Sequence, residues 1–387
     1  MRILIAPDSF KECLSAQAVA LAIERGIRRA WPEADCILLP MADGGEGTVA
    51  AILHGRPAKR ITVPATGPLG SPVKASYGWM ADTRTAVIEM AAASGLMLVP
   101  HSQRNPLKTS TYGTGELIID AIERGARDII IGLGGSATVD GGAGMAQALG
   151  VRFHDHRGRW IRQTATGGML DRIASIDMSG QHPAIARTRI TIAADVENKL
   201  CGRRGAAWVF GPQKGATPAL CKQLDQNLRH FAGVIKKDLQ RGILNLRGGG
   251  AAGGLGAGLV AFADAVITSG VELVAQLVGF DQLAAGADLI ITGEGRIDAQ
   301  TRHGKVVAGI ARMGKALDIP VIAIGGSLAD DAHSLFKSGI DGLTSAVARD
   351  MSLENACARA RAYVANAAER TARLIMLGRK LKVKSAK

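Results

Sequence analysis

The sequence predicts an α/β protein of two domains, a Rossmann-like parallel-sheet domain built from both chain ends and an inserted mixed α/β domain. The chain has 387 residues, which is longer than a single core usually grows. Short apolar runs alternate with helical patterns at both ends, as is typical of parallel βαβ units. In the middle, β-like runs are separated by Gly-Pro and polar turns, which favours hairpins over crossovers.

The N-terminal segments show the alternation in order. RILIAPD at 2–8 predicts a strand, and LSAQAVALAIERGIRRAW at 14–31 predicts a helix, because its apolar residues recur every fourth position. Ser15 is placed to cap the start of that helix. The apolar run CILLPM at 36–41 and the helical TVAAIL at 48–53 then repeat the pattern.

The same pattern returns near the C-terminus. Strand-like and helical segments alternate there at 288–295, 303–317, 320–326, 331–338 and 341–347. We therefore expect residues 1–58 and 262–387 to form one discontinuous Rossmann-like domain and residues 59–261 to form the insert. Ligands of parallel sheets bind beyond the carboxyl ends of the strands, where Asp8 and Asp43 would lie.

The charge of the chain suggests a nucleic-acid partner, but its distribution argues against one. The formal net charge is +13 and the pI is about 9.8. Basic residues are interleaved with acidic ones, and the one dense run is GRKLKVKSAK at 378–387, which we expect to be a solvated, poorly ordered tail. We expect no nucleic-acid partner and a basic surface that favours a small anionic substrate.

Cysteine usage and hydropathy indicate a cytoplasmic protein. The five cysteines form no CxxC pair, so we expect reduced thiols. The apolar stretch at the N-terminus is too short for a signal peptide. The longest uncharged run, at 248–263, is Gly-rich and shorter than the roughly 18 apolar residues of a membrane span, so we expect no membrane partner. The oligomeric state stays open, with a homodimer among the options.

One glycine-rich motif occurs twice. DGGEGTVAAIL at 43–53 and DGGAGMAQALG at 140–150 share Asp-Gly-Gly-x-Gly, and both lead into a helical pattern. A double glycine lets backbone N–H groups converge on an anion at a helix start, while the aspartate can hold a cation beside it. The pattern therefore favours Mg²⁺ together with phosphate.

Two other nucleotide-binding patterns are weaker. IIIGLGGSATVDGGAG at 129–144 contains G-x-G-x-x-A, and Asp155 follows, as in a dinucleotide-binding fingerprint; an NAD-dependent dehydrogenase of a small hydroxy acid is therefore a rival interpretation. GIARMGKA at 309–316 approaches a P-loop but ends in Ala316 where a hydroxyl should bind Mg²⁺. Phosphoryl transfer here would use another architecture.

The segment TGEGRIDAQTRHGK at 292–305 contains several residues that could bind a metal or a phosphate. Glu294 and Asp298 supply oxygen ligands, and Arg296 and Lys305 supply cations. The alternative is a helix-capping turn with a surface ion pair. Four apt residues in one loop favour a functional site.

Three further residues are candidates for a functional role, and each has a purely structural interpretation as the alternative. Asp195 follows the strand-like RITIAAD, and it is otherwise a turn or cap aspartate. Lys214 lies in the Gly-Pro turn FGPQKGA, and Lys11 lies at the start of the first helix, where it binds an anion or is solvated. The histidines show no metal-binding spacing.

Many motifs of the chain resemble, in order, those of the bacterial glycerate kinases of glyoxylate and sugar-acid catabolism. They include APDSFKECLS, ADGGEGT, TYGTGELI, GGSATVDGGAGMAQALG, FGPQKGA and TGEGRID, and the resemblance covers residues 1 to about 375. It implies ATP-dependent phosphorylation of D-glycerate with Mg²⁺, in a two-domain α/β fold outside the P-loop class. It further implies 2-phosphoglycerate as the product, with the 3-phosphate as the alternative.

The chain departs from the family pattern at three positions. Val139 replaces an asparagine before DGG, and Lys199 and Val307 replace prolines. Losing the prolines frees backbone near Asp195 and Lys305. The change at Val139 removes a polar side chain beside Asp140.

Phosphoryl transfer needs cations, Mg²⁺ ligands, backbone N–H groups and one base. We predict Mg²⁺ ligands among Asp43, Glu46, Glu294 and Asp298. We predict Asp195, Lys11 and Arg296 as catalytic residues, with Asp195 orienting or deprotonating the acceptor hydroxyl. The predicted ATP-binding residues are Gly134, Gly135, Ser136, Gly141, Gly142, Lys214 and Lys305.

Overall fold

The computed structural model describes residues 1–302 and 305–385. The β-strands of this part of the chain are β1 (Arg2–Ile5), β2 (Asp35–Leu38), β3 (Lys59–Thr66), β4 (Pro72–Met80), β5 (Thr85–Glu89), β6 (Asp128–Gly132), β7 (Arg152–His154), β8 (Ser175–Asp177), β9 (Arg189–Ala193), β10 (Val266–Thr268), β11 (Leu289–Ile297), β12 (Val321–Leu328) and β13 (Gly342–Ser345).

Helices connect most of these strands. The α-helices are α1 (Ala16–Ala30), α2 (Thr48–Gly55), α3 (Ala91–Ser94), α4 (Tyr112–Glu123), α5 (Ala143–Ala148), α6 (Ala206–Phe210), α7 (Pro218–Leu239), α8 (Leu255–Ala263), α9 (Gly270–Val278), α10 (Phe280–Ala284), α11 (Val306–Ala316), α12 (Leu353–Ala358) and α13 (Ala360–Ser385). Short 3₁₀ segments are Leu96–Leu98, His101–Gln103, Gly167–Arg172, Pro183–Arg187, Pro212–Lys214, Ala251–Gly254, Ala299–Arg302 and Asp330–Ser338.

The chain divides into two compact units. Unit 1 comprises Met1–Asp43, Ala50–Arg56 and Val271–Lys387, and unit 2 comprises Gly44–Val49 and Pro57–Gly270. The sequence placed the boundaries at 58/59 and 261/262. It also kept the ADGGEGT loop in one domain, whereas the division assigns Asp43 to unit 1 and Gly44 onward to unit 2.

Unit 1 is built on a parallel sheet. Its strand order is β13-β12-β11-β1-β2, and every neighbouring pair is parallel, with Ile5 opposite both Ile291 and Leu38. Counted along unit 1 the order is 2-1-3-4-5, a doubly wound arrangement that reverses between β1 and β11. The mixed α/β class with a Rossmann-like sheet is confirmed, in the flavodoxin-like strand order.

Helix α1 forms where the sequence predicts it. The Ser15 side chain accepts a hydrogen bond from the Ala18 amide at 3.2 Å, which caps the helix start. The buried face packs on α13, and a Cβ at Gly26 would lie 2.0 Å from the carbonyl oxygen of Ala365. A glycine at this position therefore lets the two helices approach closely.

The basic C-terminal segment, expected to be a solvated and poorly ordered tail, is helical up to Ser385, and residues 378–381 are exposed. Helix α13 continues to Ser385 because Lys, Leu and Arg favour helix, and its earlier turns are held in the core by Val364, Ala367 and Ala368. The guanidinium of Arg379 lies 5.2 Å from the ring centre of Trp31, a cation–π contact that supports the later turns.

Unit 2 contains a six-stranded mixed sheet in the order β10-β9-β6-β5-β4-β3. The predicted hairpins are confirmed, since β3 pairs with β4 and β4 with β5 in antiparallel fashion. The remaining neighbours are parallel, and β7 and β8 form a separate antiparallel pair. One core of unit 2 lies around Ile131 and Leu117, and a second around Phe153 and Phe231.

The helix predicted at 331–338 is a 3₁₀ run over Asp330–Ser338. Among the described residues, no helix is both long enough and apolar enough to cross a membrane. All five cysteines are free thiols.

Candidate active site

The carboxyl ends of β1 and β11 bring chemically active residues of unit 1 together. The two strands are parallel neighbours at the point where the strand order reverses, which is where doubly wound sheets bind ligands. Asp8 follows β1, and its amide donates to the Gly293 carbonyl at 2.8 Å, which extends the pairing to the edge of the sheet. Glu294 lies on β11 at the same edge, and only 5% of each acidic residue is exposed.

A cavity of about 550 Å³ opens at this edge of unit 1. Its charged lining is Asp8, Lys11, Asp43, Glu294, Arg296 and Lys305, which come from the loops after β1 and β2, from β11 and from the residue before α11. The segment after β13 and the start of α13 contribute mainly apolar side chains, including Met351, Leu353, Ala356, Tyr363 and Val364. The cavity therefore combines a charged wall and an apolar wall from separate parts of the chain.

The acidic residues of the charged wall shift one another's pKa values. Burial, followed by the nearby Asp43 carboxylate, raises the pKa of Asp8 to about 7, although the Ser9 amide and Lys11 oppose the shift. Burial also raises the pKa of Glu294, while Lys305 lowers it. Both buried acids are therefore harder to ionise than usual, and a cation bound beside them would favour their charged forms.

Two neighbours hold the Glu294 side chain in position. The buried hydroxyl of Thr301 donates to Glu294 Oε1, and Lys305 Nζ lies 3.4 Å from Glu294 Oε2. The Thr301 hydroxyl also accepts from the Asp298 amide at 3.2 Å. Both carboxylate oxygens of Glu294 therefore face a polar partner, which orients the group toward the cavity edge.

The four predicted Mg²⁺ ligands separate into different environments. Asp43 and Glu294 line the cavity of unit 1. Asp298 lies near enough to Glu294 to raise the pKa of Glu294. The Asp298 carboxylate is 3.6 Å from Arg296 Nε. Glu46 belongs to unit 2, where it raises the pKa of the partly buried Glu89, although burial has the larger effect on that pKa.

The charged wall has a donor set that fits Mg²⁺. Within residues 1–302 and 305–385, no three His, Cys, Asp or Glu side chains are arranged to hold a metal by themselves. Mg²⁺ usually takes one or two carboxylates and completes its shell with water and substrate phosphate, and Asp43 and Glu294 supply two carboxylates to the cavity lining. Burial and then the nearby Asp43 carboxylate raise the pKa of Asp8, and a cation bound beside these groups would lower it again.

Lys214, predicted to bind ATP, is a buried lysine of unit 2. It is 1% exposed, and its ammonium group donates to the Ser136 hydroxyl at 2.6 Å and to the Thr138 carbonyl at 2.7 Å. Burial lowers its pKa to about 7, whereas the nearby Asp140 raises it. In this structure Lys214 anchors the glycine-rich loop from inside the protein.

The double glycine after Asp140 binds an anion, and that anion is Asp140 itself. Its fully buried carboxylate accepts from the amides of Thr111 at 2.8 Å, Gly142 at 3.1 Å and Gly144 at 3.3 Å, and from the Thr111 hydroxyl at 2.8 Å. These internal hydrogen bonds are an alternative use of the amides of Gly142 and Gly144, and a phosphate site at the motif stays a prediction. The four donors satisfy the hydrogen-bonding capacity of the Asp140 carboxylate within unit 2.

The other predicted glycines make close backbone contacts. A Cβ at Gly134 would lie 2.6 Å from the Gly45 Cα, and one at Gly141 would lie 3.1 Å from the Phe231 ring. Gly135, Gly141 and Gly142 have φ values of +70°, +62° and +77°, which disfavour other residues. Packing and backbone conformation already require these glycines, so ATP binding by them stays a prediction.

Asp195 lies just after β9, with Oδ1 accepting from the Gly270 amide at 3.1 Å. This bond matches the turn-or-cap alternative, while the catalytic role stays a prediction.

The dinucleotide-binding interpretation of residues 129–144 is disfavoured by the local structure around Asp155. The Asp155 carboxylate accepts from the Arg157 and Arg159 amides at 2.9 Å each, so it closes a turn. The helix after the glycines, α5, begins only at Ala143.

The three departures from the family pattern fall at different levels of burial. Val139 and Val307 are fully buried, Val139 in an apolar core of unit 2 and Val307 in the first turn of α11. Lys199 is exposed and its ammonium lies 3.4 Å from Asn245 Oδ1. A side chain that packs in the core replaces the polar group expected before Asp140.

Sequence reasoning missed some of the residues at the cavity. Asp8 was noted but given no role, although its position after a strand matches that of Asp43. Thr301 carried no signal of its own beyond its place in the 292–305 loop. The apolar wall, including Met351 and Leu353, had no local motif that could have revealed it.

Comparison with known proteins agrees with the motif resemblance. A family model described as the glycerate kinase family matches residues 3–376. The chain is 50% identical over 381 residues to a glycerate kinase of Bacillus subtilis (strain 168), covering 98% of each protein. It is 47% identical over 378 residues to a glycerate 2-kinase of Escherichia coli (strain K12), covering 98% of this chain and 99% of the relative.

A solved structure agrees as well. The crystal structure of a protein from Salmonella typhimurium LT2, provisionally named glycerate kinase 2, matches with a TM-score of 0.85 at 49% identity, covering 98% of this chain and 99% of the other. The resemblance inferred from the motifs is confirmed. Because the family model and these relatives cover nearly the whole chain, the protein belongs to the glycerate kinase family and is a kinase.

Proposed function

We propose that this kinase transfers the γ-phosphoryl group of ATP to D-glycerate in the presence of Mg²⁺, and that it forms 2-phosphoglycerate. The observation that carries the proposal is the charged wall of the unit 1 cavity, where Lys11, Arg296 and Lys305 accompany two carboxylates suited to Mg²⁺. The 2-phosphate is favoured because a relative that is 47% identical is named glycerate 2-kinase.

The residues of the charged wall suit phosphoryl transfer, in which positioning and charge neutralisation do most of the work. Lys11 and Arg296 are exposed on this wall, so their side chains can reach phosphate oxygens or a substrate carboxylate. Lys305 lies against Glu294 and would bind a phosphate oxygen while keeping that carboxylate ionised. Mg²⁺ held by Asp43 and Glu294 would add positive charge for the phosphoryl oxygens.

Asp195 is the candidate general base, which orients or deprotonates the acceptor hydroxyl, because a carboxylate that follows a strand can do either. We further propose that the enzyme acts in the cytoplasm, in the catabolism of glyoxylate and sugar acids, on the strength of the family resemblance.

The test is ADP release from ATP and Mg²⁺ with D-glycerate, compared with L-glycerate, tartronate and no acceptor. We expect turnover that depends on D-glycerate and on Mg²⁺. ³¹P NMR of the product distinguishes the 2-phosphate, coupled to one proton on C2, from the 3-phosphate, coupled to two protons on C3. Equal ADP release without acceptor, or none from folded protein, would overturn the proposal.

A further inference from the structure

The apolar wall of the unit 1 cavity is larger and less polar than glycerate requires. Glycerate carries a carboxylate and two hydroxyls on three carbons, so it has little surface to place against hydrocarbon. A volume of about 550 Å³ lies within the range of roughly 300–1,000 Å³ typical of sites for much larger small molecules. The cavity therefore has room and surface for a second chemical part that is flat or apolar.

One residue of this wall is unusually exposed. Leu353 is 78% exposed at the start of α12, although it lines a cavity whose other wall is charged. Met351 and Ala356 are half-buried beside it, and Tyr363 adds an aromatic side chain from α13. Apolar side chains next to a charged site are covered when a ligand with an apolar face binds there.

We propose that the base of the nucleotide lies against this apolar wall, formed by Met351, Leu353, Ala356 and Tyr363. Its phosphates extend to the charged wall at Lys11, Arg296 and Lys305. The inference rests on the proposed function, because it takes the nucleotide to be the phosphoryl donor. It assigns to unit 1 alone both ends of the nucleotide, whereas the sequence motifs pointed to the glycine-rich loop of unit 2.

Three observations carry this assignment. Both walls belong to one cavity and to one compact unit. The cavity lies at the reversal of strand order, where doubly wound sheets bind nucleotides. In unit 2, the amides of Gly142 and Gly144 already donate to Asp140, so the glycine-rich loop offers fewer donors to a phosphate chain than its sequence suggests.

The test measures binding in the absence of glycerate. Dissociation constants for Mg²⁺–ATP and for Mg²⁺–tripolyphosphate, which has the phosphates but no base, are determined by calorimetry on the full chain. For the double variant Met351→Ala/Leu353→Ala we expect ATP binding to weaken about 5- to 20-fold, since two partly covered apolar side chains are lost. Tripolyphosphate binding should change less than about twofold.

The matched control is Leu374→Ala, which removes another leucine from the surface of unit 1. Leu374 is 70% exposed on α13 and is not among the residues that line the cavity. It should leave both dissociation constants unchanged. Thermal melts of all variants check folding, and because Leu353 is exposed we expect little loss of stability at that position.

The outcomes separate this inference from the proposed function. Unchanged ATP affinity in the double variant, or equal weakening of ATP and tripolyphosphate, would overturn the assignment even if D-glycerate is phosphorylated. A higher KM for D-glycerate with unchanged ATP affinity would overturn it too. Selective weakening of ATP supports the assignment even in an enzyme that proves inactive on glycerate.

Discussion

The ammonium group of Lys214 lies 2.6 Å from the hydroxyl of Ser136 and 2.7 Å from the carbonyl oxygen of Thr138, inside unit 2. A lysine that is 1% exposed would be costly to keep charged without such partners and without the nearby Asp140. The side chain ties the Pro212–Lys214 turn to the loop after β6, two segments far apart in the chain.

The buried lysine makes folding stability depend on pH. Burial lowers the Lys214 pKa from 10.5 to about 7, so between these values the unfolded chain binds more protons at this site than the folded one. The contribution of Lys214 to the free energy of unfolding therefore rises as pH increases from about 7 to 10.5 and is lost as pH falls to about 7. In Lys214→Met this rise is removed.

The measurement is urea unfolding of wild type and Lys214→Met at several pH values from 6 to 10. The difference in unfolding free energy should increase with pH by a few kcal/mol, at most about 1.4 kcal/mol per pH unit. Lys222→Met, at an exposed position of α7, serves as the control and should run parallel to wild type. Parallel curves for Lys214→Met would contradict the buried-lysine argument.

Asp43→Asn should abolish most activity and leave the fold intact. The carboxylate lines the cavity of unit 1 and is one of two suited to Mg²⁺ there. We expect kcat with D-glycerate to fall about 100-fold or more, with a higher Mg²⁺ requirement. Asp82→Asn, in an exposed turn of unit 2, is the control. Turnover within a few-fold of wild type would mean that Asp43 is an ordinary solvated acid.

Thr301→Val should disturb the site through Glu294. The mutation removes the hydroxyl that donates to Glu294 Oε1 and accepts from the Asp298 amide, so the carboxylate and the amide each lose a partner. We expect kcat to fall about 10-fold and stability to fall by about 1–2 kcal/mol. Thr301→Ser, which keeps the hydroxyl, should restore kcat. Failure of the serine variant to restore it would point to packing of the methyl group instead.

Asp195→Asn separates a structural from a catalytic role. The amide oxygen of asparagine can still accept from the Gly270 amide, so the unfolding free energy should stay within about 0.5 kcal/mol of wild type. If Asp195 acts on the acceptor hydroxyl, kcat should fall about 100-fold or more. Steady-state kinetics with D-glycerate and a urea titration give both values. Full activity in this variant would leave Asp195 as a structural residue only.

Much of the fold can be predicted from local patterns in the sequence. Helix α1 has apolar residues on one face and a serine cap, and β3, β4 and β5 are separated by turn residues, so each forms where expected. The parallel pairing at both chain ends also follows from alternation of strands and helices. The basic C-terminal segment is helical although a tail was expected there, because the stability of α13 comes from packing of its earlier turns against α1. No local sequence pattern shows that packing.

The candidate site was harder to predict, because its residues meet through long-range contacts. Asp8 and Glu294 are 286 positions apart and share an edge only because β1 pairs with β11. Asp43 and Glu46 are three positions apart and yet belong to different compact units.

The sequence by itself determined the family, the α/β class and most of the elements, because motifs, periodicity and turn residues are local properties of the chain. The tertiary structure decided which donor meets which acceptor. The amides after Asp140 could serve a phosphate or an internal carboxylate, and only the folded position of that side chain, with Lys214 buried beside it, satisfies them within the protein. The apolar wall at Leu353 was likewise decided by packing, because it becomes a surface only when the segment after β13 lies next to the charged loops.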